Sequence, residues 1–216
     1  MKEFKFLLNQ TILRKYFIPI RDKSTVVEIL MESIKYMLIN PTIQPEDVKG
    51  EMILKIDKMN RLFFFTKDKY FSIVFPFYIK KNDDEFNIYS KTISNIDNKL
   101  ISQVLSVIKS DEFNSQCSLE FAEPIYEYDA TYEESFWTFL KELLLMEDGY
   151  IRYDYDKENY IKHKERGEEH LHPENHYDIF YSGDSTFKIG LKKRIPHDDF
   201  VDLLNIKTDC KYLHNA

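Results

Sequence analysis

Glycine is scarce in this chain, with five residues in 216, and four of the five lie from Gly149 onward. So few residues free to enter positive φ exclude collagen-like and Gly-rich linker segments, and no Gly-rich phosphate loop or dinucleotide fingerprint occurs. Cysteine is scarcer still: Cys117 and Cys210 stand far apart without metal-type spacing. A disulfide framework and a zinc ribbon are thereby excluded, and with no signal-peptide pattern in MKEFKFLLNQ the expected compartment is the reducing cytoplasm. Positive charge is also lacking. A formal net charge of −7 argues against generic nucleic-acid binding, which rests on a basic face that releases counterions. Any nucleic-acid contact is therefore local, and the best basic run is Lys192-Lys193-Arg194 beside Lys188. Its plainer reading is a solvated strand end. The longest apolar runs, Leu62 to Phe65 and Phe71 to Phe77, are too short to span a bilayer, so no membrane association is expected. There is no internal repeat, no GxSxG elbow and no HExxH helix.

Bulky apolar residues fill the space that alanine leaves: alanine appears three times, against 17 Phe and 15 Tyr. Such β-formers, mixed with helical periodicities, point to an α+β protein. TVVEILMESIKYMLI carries Val27, Leu30, Ile34 and Met37 on one helical stripe, with Thr25 and Glu28 as a capping box and two prolines beyond its end. EMILKID, RLFFFTKD, YFSIVFPFYIK and FNIYSKTIS read as an antiparallel meander of about four strands, with Pro76 at an edge or bulge. Asp97 caps a second helix. Thr131 with Glu134 opens a third, whose Phe139 and Leu143 belong in the core, and Gly149 stands where a C-terminal cap belongs. The expected architecture is a meander covered by helices, followed by a C-terminal three-stranded antiparallel unit and a closing helix. It forms one α+β domain over 1–216, with a natural subdivision near 130/131.

The texture changes after Gly149, where all six histidines lie. YIRYDYD, HYDIFYS and TFKIGLKK read as strands, NYIKHKERGEEHLHPEN as a polar loop, and Ser182-Gly183-Asp184-Ser185 as a hairpin turn. Pro196 then opens HDDFVDLLNI, at a position where a missing amide costs least. Strand residues two apart share a face. If the three strands pair, Arg152, Asp154, His176, Asp178 and Lys188 gather on one face. The other is core-like, with Ile179 and Ile189 expected to be buried.

That polar face holds an imidazole that titrates near neutrality, carboxylates to orient it, and two cations to offset developing negative charge. The plainer reading is the solvated outer face of a half-exposed sheet. His170 and His172 are candidate metal ligands, being two apart and flanked by glutamates, but Pro173 breaks the strand and no zinc signature is met, so no cofactor is expected. An acidic-x-Lys nuclease pattern is absent, because Thr186 precedes Lys188 by two.

IRYDYD followed by HPENHYDIFYSGDSTFKIG and IPHDDFVDLL resembles a bacterial family of unknown function with an Arg-x-Asp-Tyr strand, a His-Pro-x-x-His strand, a hairpin partner and a Pro-started helix. The resemblance runs from Tyr150 to Leu204 and marks Arg152, Asp154, Tyr155, His172, Pro173 and His176. The family's basic residue and proline after the turn are met only by Phe187-Lys188, with no proline before Pro196. Because that family is found near restriction and phage-defence loci, the resemblance implies a cytosolic accessory or recognition component with a partner protein from the same operon. Its binding surface would be the polar face, with Tyr155, Lys192, Lys193 and Arg194 at its margin. The rival expectation is a phosphodiester hydrolase centred on His176.

Overall fold

Alternation of large apolar residues makes strands of most of the segments expected to be strands, and their register assembles one broad antiparallel sheet. In chain order the elements are β1 (Lys2–Leu8), α1 (Gln10–Tyr16), α2 (Lys23–Ile39), β2 (Gly50–Ile56), β3 (Arg61–Phe65), β4 (Lys69–Val74), β5 (Tyr78–Asn82) and β6 (Glu85–Tyr89). They continue with α3 (Asn98–Ile108), α4 (Glu134–Leu145), β7 (Ile151–Tyr155), α5 (Lys157–Lys164), β8 (Asn175–Ser182), β9 (Ser185–Gly190) and α6 (His197–Leu203). The structure, a computed structural model, describes residues 2–58, 60–82, 85–111, 113, 134–182 and 185–211. The fold is α+β. No described helix is long and apolar enough to cross a membrane.

The chain divides into two compact units. The first comprises residues 1–17, 43–75 and 149–216, and the second residues 18–42 and 76–148. The 130/131 boundary expected from sequence lies outside the described residues, and α4 belongs with the second unit.

The first unit is built on a seven-stranded sheet of order β1-β2-β3-β4-β7-β8-β9, antiparallel throughout. The expected C-terminal three-stranded unit does form, but it is no separate layer: β7 pairs with β4 and extends the meander. One face is aromatic, with Phe63, Phe65, Tyr70 and Tyr153 packed around Phe200 of α6. On the opposite face Phe64 and Phe71 stack at 4.3 Å, and Tyr16 of α1 meets Phe64 edge-on. Ile179 and Ile189 are half-buried rather than buried, because they lie toward the outer strands of the sheet. The hairpin tip at residues 183 and 184 lies outside the described residues, although Ser182 and Ser185 pair across it.

In the second unit α2 packs on α3, α4 and β6, with Leu30, Ile34, Phe139 and Leu143 buried as their periodicity requires. The first of these helices begins earlier than its capping-box pattern suggests. Asp22, not Thr25, is the cap, and its carboxylate accepts from the Thr25 amide at 2.7 Å. Asp97 caps α3 as expected, accepting from the Leu100 amide. Thr131 lies outside the described residues. The meander also departs from expectation at Pro76. The proline, which cannot donate to a ladder, separates β4 from β5 instead of forming a bulge, and β5 and β6 make their own two-stranded sheet.

Candidate functional site

Register brings the five polar residues of β7, β8 and β9 into direct opposition. Arg152 faces Asp178, Asp154 faces His176, and Asp178 faces Lys188 on its other side. The Tyr153 hydroxyl, on the aromatic face, donates to the buried Asn175 at 2.8 Å and ties β7 to β8. The site therefore rests on strands, not on loops.

The face is not a solvated outer surface. Asp154 is 3% exposed, and His176 and Asp178 are 0% exposed. Burial of ionised groups is tolerated only where they are paired and hydrogen-bonded, and here they are. Arg152 Nη2 donates to Asp178 Oδ2 at 2.5 Å and to Asp154 Oδ2 at 2.9 Å. Lys188 Nζ donates to Asp178 Oδ1 at 2.7 Å and to His176 Nε2 at 2.8 Å. The side chains of Arg152 and Lys188 keep 19% and 22% exposure, so the two cations are the cluster's openings to solvent.

Residues 156–174 fold back over part of this face, and they are not a plain loop. They contain α5, capped by Asp156, and a 3₁₀ turn at Glu169–Leu171. The segment sets the histidine. His176 Nδ1 lies 2.7 Å from the Pro173 carbonyl, which only accepts, so Nδ1 carries the proton and Nε2 is bare. A carbonyl thus fixes the tautomer, where the sequence led us to expect a carboxylate. Pro173 in turn packs on Gly190, the residue opposite His176: a Cβ at position 190 would lie 2.9 Å from Pro173 Cγ.

Electrostatics follow from this arrangement. Burial, and then the charge of Lys188, hold the His176 pKa below its ordinary 6.5 against the opposing pull of Asp178, so the imidazole is neutral at pH 7. Burial acts to raise the Asp178 pKa, but the Lys188 hydrogen bond and the Arg152 charge prevail and lower it below 3.8. Arg152 is desolvated too, yet Asp154 and Asp178 keep it firmly charged. Burial raises the neighbouring Tyr150 hydroxyl well above 10, so it stays neutral.

All five proposed catalytic residues are brought together. The proposed metal ligands are not. His170 is exposed on the 3₁₀ turn, while His172 is half-buried and bonded to Asp156 at 3.2 Å. The His172 ring lies between those of His163 and His176, with centroids 5.3 and 4.9 Å away. Among the described residues, the group with metal-ligand geometry is Asp154, His176 and Asp178, whose ligand atoms lie within 4.8 Å of one another.

The binding candidates take other roles. Tyr155 and Arg194 meet each other, the guanidinium lying 4.8 Å from the ring centroid. Arg194 also bonds to the Lys67 carbonyl and to Asp68. Lys192 and Lys193 remain exposed. Sequence reasoning missed Lys69, whose Nζ lies 3.8 Å from Asp154 Oδ2 by virtue of the β4–β7 pairing. It also missed an open cleft of about 490 Å³ lined by Arg14, Lys49, Lys67 and Lys69.

Compared with models of known protein families, with curated proteins and with solved structures, the chain matches none. The resemblance over 150–204 accordingly stands on its motif alone.

Proposed function

We propose that the chain is a phosphodiester hydrolase acting on nucleic-acid strands, with His176 as general base. The observation that carries this reading is the neutral, tautomer-fixed imidazole, whose bare Nε2 faces a buried carboxylate and two cations that reach solvent. A base poised below neutrality is unprotonated at pH 7, and its lone pair would open to a proton once Lys188, which donates to Nε2 at rest, turned to a bound phosphate. In the reaction, Nε2 would accept the proton of an attacking water as its oxygen bonds phosphorus and the bond to the leaving oxygen breaks. Lys188 and Arg152 would hold the charge that develops on the phosphoryl oxygens, and Asp178 would keep both cations in place. The cleft lined by Arg14, Lys49, Lys67 and Lys69, with Asp68 as its one acid, supports a polyanionic substrate despite the acidic chain, because its balance of charge is locally positive. Lys69 connects cleft and cluster through Asp154.

Burial bears on both readings: Asp154, His176 and Asp178 present almost no area to a partner protein, and a phosphodiester would reach His176 only by way of the openings at Arg152 and Lys188. A phage-defence setting is compatible with a hydrolase effector.

The test is incubation of purified protein with single-stranded DNA, duplex DNA and single-stranded RNA, with and without Mn²⁺. Cleavage that falls about 100-fold or more in His176→Gln, while circular dichroism stays native, supports the assignment. No cleavage of any of the three overturns it. Retained strand binding without cleavage would favour the recognition role instead.

A further inference from the structure

We infer that Asp154, His176 and Asp178 form a divalent-metal site whose resting occupant is the ammonium group of Lys188. Three independent features point there. The ligand atoms of the three residues lie within 4.8 Å of one another, a spacing that one ion can bridge with little adjustment. The ring is prepared as a ligand: Nδ1–H donates to a backbone carbonyl, the arrangement that orients most metal-binding imidazoles, and Nε2 turns toward the carboxylates. Finally, Asp154 Oδ1 is shielded from solvent and has no hydrogen-bond partner, although the Asp154 side chain is only 5% exposed. Its other oxygen serves Arg152 and Lys69. A buried carboxylate oxygen without a donor needs an explanation, and an ion is one that the neighbouring ligands supply.

Lys188 explains how the cluster stands without an ion. Its Nζ sits 2.8 Å from Nε2 and 2.7 Å from Asp178 Oδ1, where a cation bound to both would sit, and it leaves Asp154 Oδ1 unserved. The lysine stem is partly exposed and flexible, so the ammonium can swing outward. A divalent ion at about 2.0–2.2 Å from each ligand holds any two of them no more than about 4.4 Å apart, so binding would draw the three side chains slightly inward. One imidazole with two carboxylates suits Mn²⁺, Fe²⁺ or Zn²⁺ better than Mg²⁺ or Ca²⁺.

This inference shares residues with the proposed hydrolytic site, and an ion on His176 Nε2 would occupy the lone pair that the base uses, so the metal-loaded and the base-competent forms are alternatives; the readout is binding, and either can fail alone. The probe is Mn²⁺, titrated into wild type and into Lys188→Met, which keeps the stem and removes the competing charge. Lys188→Met should bind about one ion per chain, at least tenfold more tightly than wild type. Mn²⁺ should broaden the His176 ring resonances together with those of His172, whose ring lies 4.9 Å away, and diamagnetic Zn²⁺ should shift the His176 Nε2 resonance without shifting the ring nitrogens of His170 or His172. Asp154→Asn in the Lys188→Met background should weaken binding at least tenfold, and His172→Ala should leave it unchanged. If Asp154→Asn fails to fold, the His176 Nε2 shift locates the ion without it. No binding by Lys188→Met, or binding that leaves the His176 Nε2 resonance unshifted, overturns the site.

Discussion

The two halves of the seven-stranded sheet bury one face by opposite means. Across β1 to β4 the burial is apolar, with Phe6, Met52, Leu54, Leu62, Phe64, Phe71 and Ile73 all at 4% exposure or less. Across β7 and β8 the same face carries charge, and Asp154, His176 and Asp178 on it are as buried as the phenylalanines. Apolar burial is roughly proportional to area and indifferent to direction, so it forgives changes that keep volume. Charged burial depends on each partner being present. Losing one leaves another stranded in a medium that cannot solvate it.

Breaking that contrast most forcefully requires Asp178, which holds Arg152 and Lys188 together. Asp178→Leu should cost about 3–5 kcal/mol in chemical denaturation, because Lys188 loses its carboxylate partner and Arg152 loses one of its two. The quadruple variant Arg152→Met, Asp154→Leu, Asp178→Leu, Lys188→Met, which leaves no buried carboxylate without its cation, should regain most of that stability while abolishing hydrolysis, since an apolar replacement of similar volume is often neutral. If the quadruple variant proved less stable than the single one, the cluster would owe its stability to something other than paired charge.

Gly190→Ala comes next. Its Cβ would press on Pro173, and overpacking of this kind costs about 1–3 kcal/mol. Because Pro173 holds His176, hydrolysis should fall more steeply than stability; an equal fall would reduce Gly190 to a packing role. On the apolar half, Ile73→Val should cost only about 0.5–1.5 kcal/mol by thermal unfolding and leave the polar cluster untouched. A larger loss would show the two halves to be coupled.

The smallest effect is a pH dependence. With its folded pKa depressed, His176 resists a proton that the unfolded chain accepts, so its contribution is complete above about 6.5 and is lost as pH falls toward the folded value. Asp178, depressed below 3.8, acts in the same direction at lower pH. Melting temperature in wild type should therefore decline below about pH 6.5, and His176→Gln should flatten that part of the curve. Identical slopes in both proteins would assign the effect to other groups.

Strand parity made the composition of the site legible: two-residue spacing alone places Arg152 with Asp154 and His176 with Asp178, and pairing of adjacent strands adds Lys188. Its burial was not legible. That depends on residues 156–174 folding back so that Pro173 meets Gly190 and His176, a contact with no periodicity to announce it. Lys69 was hidden for a different reason, since it reaches Asp154 only through a strand pair whose members are separated in sequence by residues 76–148. At the helix start the Thr25–Glu28 box pointed to Thr25, whereas Asp22, three residues earlier and equally competent, is the residue that caps the helix. The helical stripes of α2 and α4 were read correctly because several turns repeat the same signal.

The pairing of β4 with β7 also orders events during synthesis. When β4 leaves the ribosome, its later neighbour is still unmade, and residues 76–148 must emerge before β7 can dock. Until then KYFSIV presents one row of unpaired amides and carbonyls flanked by Phe71 and Ile73, the kind of edge that recruits strands from other chains. A nascent chain stalled near Asp148 is thus at its most aggregation-prone, and the polar cluster, assembled last, closes that edge.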